Sequence, residues 1–232
     1  MLHGYGPLLL QGLAMTIGVS LASFLVAFVL GLVGAWAKIR GGRIARTIAE
    51  VYTVVIRGVP ELVLILLIFY GTPTLVQSLV RDLGPESLSR FRLEFDPFSA
   101  GVLTLGLIYG AFATEVFRGA IQSIPKGQVE AGQAYGMRGW TLARLVVFPQ
   151  MLRFAISGLG NVWLVMIKAT ALISVIQLNE LMRAADVAAA NTREPFTFYL
   201  AASFLYLGIT ALSLVVIKTV EIRAFRGNEA RG

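Results

Sequence analysis

Residues 1–37 contain no Asp, Glu, Lys or Arg, and the first charge in the chain is Lys38. A stretch of that length without a charge has no water-facing side. A helix needs about 20 apolar residues to cross a hydrocarbon core, and residues 8–37 supply more than that. The stretch lacks the basic leader and short apolar core of a signal peptide, so it is expected to be a retained spanning helix. Only 14% of the 232 residues are charged and 56% are hydrophobic, against about 25% and 45–50% in an average soluble domain. There are too few charges to solvate a globular surface.

Four further apolar runs follow. Leu62–Val80 is uncharged and preceded by Arg57-Gly-Val-Pro-Glu61. Pro97–Thr114 ends at Glu115 and Arg118. Phe154–Asn179 is interrupted only by Lys168, and Phe196–Ile217 is uncharged. With helical margins, the spans are placed at 8–37, 51–80, 97–117, 154–179 and 196–217. The expected fold is an all-α integral membrane bundle of five transmembrane helices, a single membrane domain over 1–232.

The net charge of +7 would suggest nucleic acid on a soluble protein. Here it reads as topology. Lys38, Arg40, Arg43 and Arg46 follow the first span. Arg118, Lys126, Arg138, Arg144 and Arg153 follow the third, and Lys218, Arg223, Arg226 and Arg231 follow the fifth. The opposite loops carry only Arg81, Arg90, Arg92, Arg183 and Arg193. Basic loops stay inside, so the N-terminus is expected outside, the C-terminus is expected in the cytoplasm, and no nucleic-acid partner is expected.

The chain has no Cys and one His, His3. Thiol nucleophiles, Cys or His metal clusters and His-based triads are thereby excluded, and no catalytic or metal site is expected. No Gly-x-x-x-x-Gly-Lys-Ser/Thr loop is present to cradle phosphates, so energy for any driven process is expected to come from elsewhere.

Gly106, Gly110 and Thr114 fall at i, i+4 and i+8 on one helix face, a spacing that lets membrane helices approach closely. Packing within the bundle is the expected use, with a subunit interface as the alternative. The connection 118–153 is long for a membrane loop. It reads as an amphipathic helix over about 126–148, with Pro125 and Pro149 at its ends. Such a helix lies on lipid or docks a partner.

Within that connection Glu130-Ala131-Gly132, then Gly136, then Val146, Phe148 and Pro149 resemble the EAA motif of bacterial ABC importer permeases. Gly132 stands where that motif has Ala, and Phe148 where it has Leu. The likeness runs on through Arg57-Gly-Val-Pro-Glu61, the run ending at Gly71, Tyr109-Gly-Ala, Thr114-Glu-Val-Phe-Arg-Gly119, Pro125-Lys-Gly127 and Lys168-Ala-Thr-Ala-Leu172. These resemble the polar amino-acid branch, and the Q-type subunits for histidine and lysine/arginine/ornithine most, with opine permeases close by. The resemblance implies a type I importer fold in the bacterial inner membrane. A second permease subunit would complete the pathway. Two ABC ATPase subunits would bind the ATP, leaving this chain no cofactor, and a periplasmic binding protein would deliver an amino acid or opine. It implies an ATPase-coupling role for Glu130, Ala131, Gly132, Gly136 and Pro149. Gly136 would allow a tight turn or a close backbone approach, Glu130 would accept a donor from the ATPase or the adjoining loop, and Pro149 would end the helix.

Arg57, Glu61, Glu115 and Lys168 lie in or near the spans and sum to zero charge. An intramembrane charge is costly and marks a functional site or a pair. Lys168 stands about 21 Å along its helix and is expected to pair with Glu61 or Glu115. Arg57 and Glu61 could pair at i, i+4 if the helix were regular, although Gly58 and Pro60 oppose that. Glu61, Arg57, Glu115, Lys168 and Thr170 are the candidate substrate-pathway residues, with Glu61 the preferred partner of a cationic substrate. The alternatives are a structural permease subunit whose partner binds substrate, a secondary transporter, and an intramembrane enzyme, which the lack of His disfavours.

Overall fold

A computed structural model describes residues 2–83 and 96–225, and every regular element among them is helical. Arg90, Arg92, Arg226 and Arg231 lie outside the described residues. In chain order the helices are α1 (Gly6–Arg40), α2 (Arg43–Gly58), α3 (Glu61–Leu66), α4 (Thr72–Leu83), α5 (Pro97–Gln122), α6 (Lys126–Ala134), α7 (Gly139–Leu142), α8 (Phe148–Ala169), α9 (Leu181–Thr192) and α10 (Pro195–Phe225). π-helical turns at Leu67–Gly71 and Ala143–Val147 join α3 to α4 and α7 to α8, and a 3₁₀ turn, Thr170–Ile176, extends α8. Among the described residues, five helical stretches are long and apolar enough to cross a membrane: Gly6–Arg40, Glu61–Asp82, Pro97–Gln122, Gly139–Ile176 and Pro195–Phe225.

The second stretch begins ten residues later than the sequence places it. Val59 is extended (φ −104°, ψ 138°) and Pro60 cannot donate a backbone hydrogen bond, so α2 stops at Gly58 and α3 starts afresh at Glu61. α2 packs instead across α1 and α5. The helix expected over 126–148 is also divided. Gly136 (φ +79°) and Gly139 (φ +51°) turn the chain after α6, and α7 then runs through its π turn into α8. Pro149 therefore sits just past the π turn, inside the continuous helical stretch Gly139–Ile176, rather than ending a separate helix.

α5 is the central helix. Of its most apolar window 72% is buried within the chain, against 6% for α10 and 11% for the stretch beginning at Glu61. It opens on Asp96, whose carboxylate accepts the Phe98 and Ser99 amides at 3.3 and 2.9 Å, with Pro97 at the first helical position. Those hydrogen bonds, from Ser99 first, hold the Asp96 carboxyl below the usual carboxylate range.

The stripe of small residues on α5 is used inside the bundle. A methyl group on Gly106 would stand 2.5 Å from Val26 Cγ1, one on Gly110 would stand 2.9 Å from Leu30 Cβ, and one on Gly34 would overlap Thr114. Val26, Leu30 and Gly34 thus mesh with Gly106, Gly110 and Thr114 in ascending order, so α1 and α5 run parallel with backbones close together. Gly158 of α8 lies against Val116 and Gly101 of α5 against Ile173, which makes α8 antiparallel to both. Tyr5 packs edge-on to Phe198 at 5.8 Å, so α1 and α10 begin at the same end. Three buried clusters stack along this bundle: Leu9, Leu181 and Phe198 at one end; Leu105, Ile108 and Met166 in the middle; Ala35, Phe117 and Met151 at the other. Outward-facing side chains such as Leu21, Leu25, Leu207 and Leu212 are apolar and exposed, the arrangement a lipid-solvated bundle requires.

Candidate functional site

The ionisable residues singled out in the spans do not pair with one another. Lys38, the first charge of the chain, closes the last turn of α1 and reaches Glu115 of α5, with Nζ 2.6 Å from Oε1. Its ammonium also donates to Thr53 Oγ1 of α2 at 2.6 Å. The other Glu115 oxygen accepts Arg118 Nη2 at 2.7 Å and Nε at 2.9 Å. The Lys38 ammonium therefore joins α1 to α5 through Glu115 and to α2 through Thr53. A cleft of about 680 Å³ opens beside it, lined by Lys38, Arg46, Glu50, Arg57, Glu115 and Arg118 among others.

Arg57 and Glu61 flank the break between α2 and α3. The Arg57 guanidinium lies 5.4 Å above the Phe112 ring, a cation–π arrangement. Glu61 Oε1 accepts the Tyr109 hydroxyl at 3.0 Å. Both side chains thus face α5, one turn apart, and the i, i+4 pair does not form because Val59 and Pro60 are not helical.

Lys168 is exposed on the surface of this subunit, and among the described residues no ion pair joins it to a carboxylate. The expected pairing with Glu61 or Glu115 is absent because Tyr109 holds one acid and Lys38 with Arg118 holds the other. Thr170, two residues on, is buried and donates to the Ile167 carbonyl at 2.7 Å.

The segment carrying the EAA resemblance is presented at the Lys38 end of the bundle. Glu130 and Ala131 on α6 are exposed, while Gly132 is buried. A methyl on Gly132 would stand 2.6 Å from Leu142 and 3.2 Å from Val146, so α6 lies flat on the α7–α8 elbow. The Tyr135 amide donates to the Ala131 carbonyl and that of Met137 to the Gly132 carbonyl, closing α6 around the left-handed Gly136. Tyr135 and Trp140 are 86% and 76% exposed beside it.

Sequence reasoning missed Lys38, Thr53, Tyr109 and Glu180. By sequence Lys38 falls in a basic loop and Glu180 lies just past an apolar run, so neither is marked for burial. Tyr109 and Thr53 carry no charge to flag them inside helices. The interval of 77 positions between Lys38 and Glu115 leaves no local signal.

Comparison with known proteins agrees with this arrangement. The family described as binding-protein-dependent transport system inner membrane component matches residues 27–225. The chain is 42% identical, over 96% of both chains, to the histidine/lysine/arginine/ornithine transport system permease protein HisQ of Salmonella typhimurium. It is 40% identical to the octopine transport system permease protein OccQ of Rhizobium radiobacter, over 97% of this chain and 93% of that one. A chain from the crystal structure of an amino acid ABC transporter with histidines superposes with a TM-score of 0.79 at 30% identity, over 94% of this chain and 95% of that one. The chain belongs to the binding-protein-dependent transport system inner membrane components, as a multi-pass protein of the bacterial inner membrane.

Proposed function

We propose that this chain is a permease subunit of an ATP-driven importer for basic amino acids (histidine, lysine, arginine, ornithine) or opines. The observation that carries this reading is end-to-end similarity to permeases named for those substrates. In this reading the chain forms the pathway with a second permease, two ATPase subunits bind and hydrolyse the ATP, and a periplasmic binding protein delivers substrate. The chain itself supplies no catalytic group and no cofactor. The basic residues after α1 and α5 and the α6 segment face the cytoplasm, and the N-terminus faces the periplasm.

The mechanics follow from the contacts. The exposed Glu130, Ala131 and Tyr135 face of α6 docks on the ATPase. Gly132 seats α6 against Leu142 and Val146, so movement of the docked helix passes into α7–α8 without slack. α8 and its 3₁₀ extension carry Lys168 and Thr170 at their far end. At the α2–α3 break Glu61 offers an acceptor to a cationic side chain and Arg57 a donor to a carboxylate. Interrupted helices at membrane depth build such sites. Co-purification tests the assembly: a tagged chain should bring down a second permease and an ABC ATPase, and recovery of neither would refute the reading.

A further inference from the structure

Glu180 is wholly buried, yet among the described residues no cation lies within ion-pairing distance of it. A buried carboxylate persists only where hydrogen bonds replace its water. Here Oε1 accepts the Arg183 amide at 2.8 Å. Oε2 accepts the Met182 amide at 2.9 Å, the Tyr206 hydroxyl at 2.9 Å and, more distantly, the Thr16 hydroxyl at 3.4 Å. The Thr16 oxygen in turn accepts the Leu181 amide at 3.1 Å. All the free amides of the first turn of α9 are therefore satisfied by Glu180 and by α1.

The packing confirms that this is a junction rather than a simple cap. A methyl on Gly12 would stand 2.9 Å from Leu181 Cα, so α9 lies directly on the α1 backbone. The joints at either end of α9, Gln177 and Arg193, are left-handed at φ +63° and +61°. The Tyr206 oxygen lies 3.5 Å from Thr170 Oγ1, two residues from Lys168. A single carboxylate thus links α1, α9 and α10 where the fourth span ends.

We propose that Glu180 is a positioning residue for transport: it clamps α9 to α1 through Thr16 and to α10 through Tyr206, and so holds the Thr170–Ile176 turn and Lys168 in the pathway. The inference rests on the reading that the Lys168–Thr170 run lines that pathway. Clamp and pathway move together because the linked helices share no slack at Gly12 and Thr16.

The test uses the whole transporter, reconstituted with its partner permease, ATPase and binding protein. Thr16→Val keeps the side-chain shape and removes the hydroxyl; Thr16→Ser keeps the hydroxyl and removes a methyl group. Tyr206→Phe removes the donor and keeps the ring. Thr16→Val and Tyr206→Phe should raise the uptake KM about fivefold, the low end of a coupling of this kind, with basal ATP hydrolysis unchanged. Hydrogen exchange at the Leu181–Arg183 amides should quicken in Thr16→Val, while Thr16→Ser should match the parent in both measurements. Unchanged KM in Thr16→Val and Tyr206→Phe, or a Thr16→Ser as impaired as Thr16→Val, overturns the clamp. Lys168→Met separates the two readings. Normal uptake by Lys168→Met overturns the pathway reading. Altered uptake by Lys168→Met, with normal uptake by Thr16→Val and Tyr206→Phe, overturns the clamp alone.

Discussion

Lys38 Nζ and Glu115 Oε1, 77 positions apart in the chain, are 2.6 Å apart in the fold, with side chains only 9% and 20% exposed. The pair fastens the end of α1 to α5, and Thr53 brings in α2. Glu115→Gln leaves the largely buried Lys38 with only Thr53 as a partner, and Lys38→Met leaves Glu115 with Arg118 alone. Lys38→Met or Glu115→Gln should each cost about 2 kcal/mol of stability. The double variant should lose clearly less than the two losses added, because its second substitution has no pair left to break. Thermal unfolding of the detergent-solubilised protein measures this, and strictly additive losses would show that the pair does not act as a unit.

The α1–α5 seam makes a separate prediction. Gly106→Ala drives a methyl into Val26 and should destabilise by about 1–3 kcal/mol, the usual cost of overpacking. Gly18 of α1 has no atom within 4 Å of the corresponding position, so Gly18→Ala should change stability by no more than about 0.5 kcal/mol. Equal behaviour of the two variants would place the seam elsewhere.

These two sites also show what a sequence can and cannot reveal. The small-residue stripe was legible because i, i+4, i+8 spacing survives whatever it packs against. The five spans were legible because a membrane tolerates few charges, and a charge-free run has few other uses. The beginning of the second span was not. α2 carries Arg43, Arg46 and Glu50 on one face and Ile44, Ile48, Val51 and Val55, all exposed, on the other. Its apolar half merges with the following span when hydropathy is read along the chain. The zero charge sum of Arg57, Glu61, Glu115 and Lys168 suggested pairs among them, but Lys38, assigned to a loop, takes Glu115. Burial of Glu180 was equally hidden, since a charge between two apolar runs looks the same whether its segment is solvated or folded back into the bundle. In the EAA-like segment a helix was expected straight through Gly136, which left open a tight turn or a close backbone approach there; the left-handed Gly136 and Gly139 together divide it.

Gly136 supports a test of coupling. Its φ of +79° strains any residue with a Cβ, at about 1–2 kcal/mol, and the strain falls on the end of α6. Gly136→Ala and Glu130→Ala should both lower recovery of the ATPase with the tagged permease, while the second permease is still recovered. ATPase recovery equal to that of the parent in both variants would remove α6 as the docking element.

Glu61 bears on selectivity. Glu61→Gln keeps a side-chain acceptor for the Tyr109 hydroxyl and abolishes the negative charge. It should therefore assemble normally and keep basal ATP hydrolysis, but lose uptake of a basic amino acid, because a cationic group would find no charge at the break. Transport kinetics indistinguishable from the parent would show that Glu61 does not meet the substrate.

Uptake into proteoliposomes reads out ATP-driven import of a basic amino acid or opine through this chain. The chain would be reconstituted with its second permease and ATPase and supplied with the cognate binding protein. Histidine, lysine, arginine, ornithine and opines would be offered with and without enclosed ATP. At least one of them should accumulate, and only when both ATP and the binding protein are present. Accumulation driven by an ion gradient without ATP, or accumulation of none of these substrates, would contradict ATP-driven import.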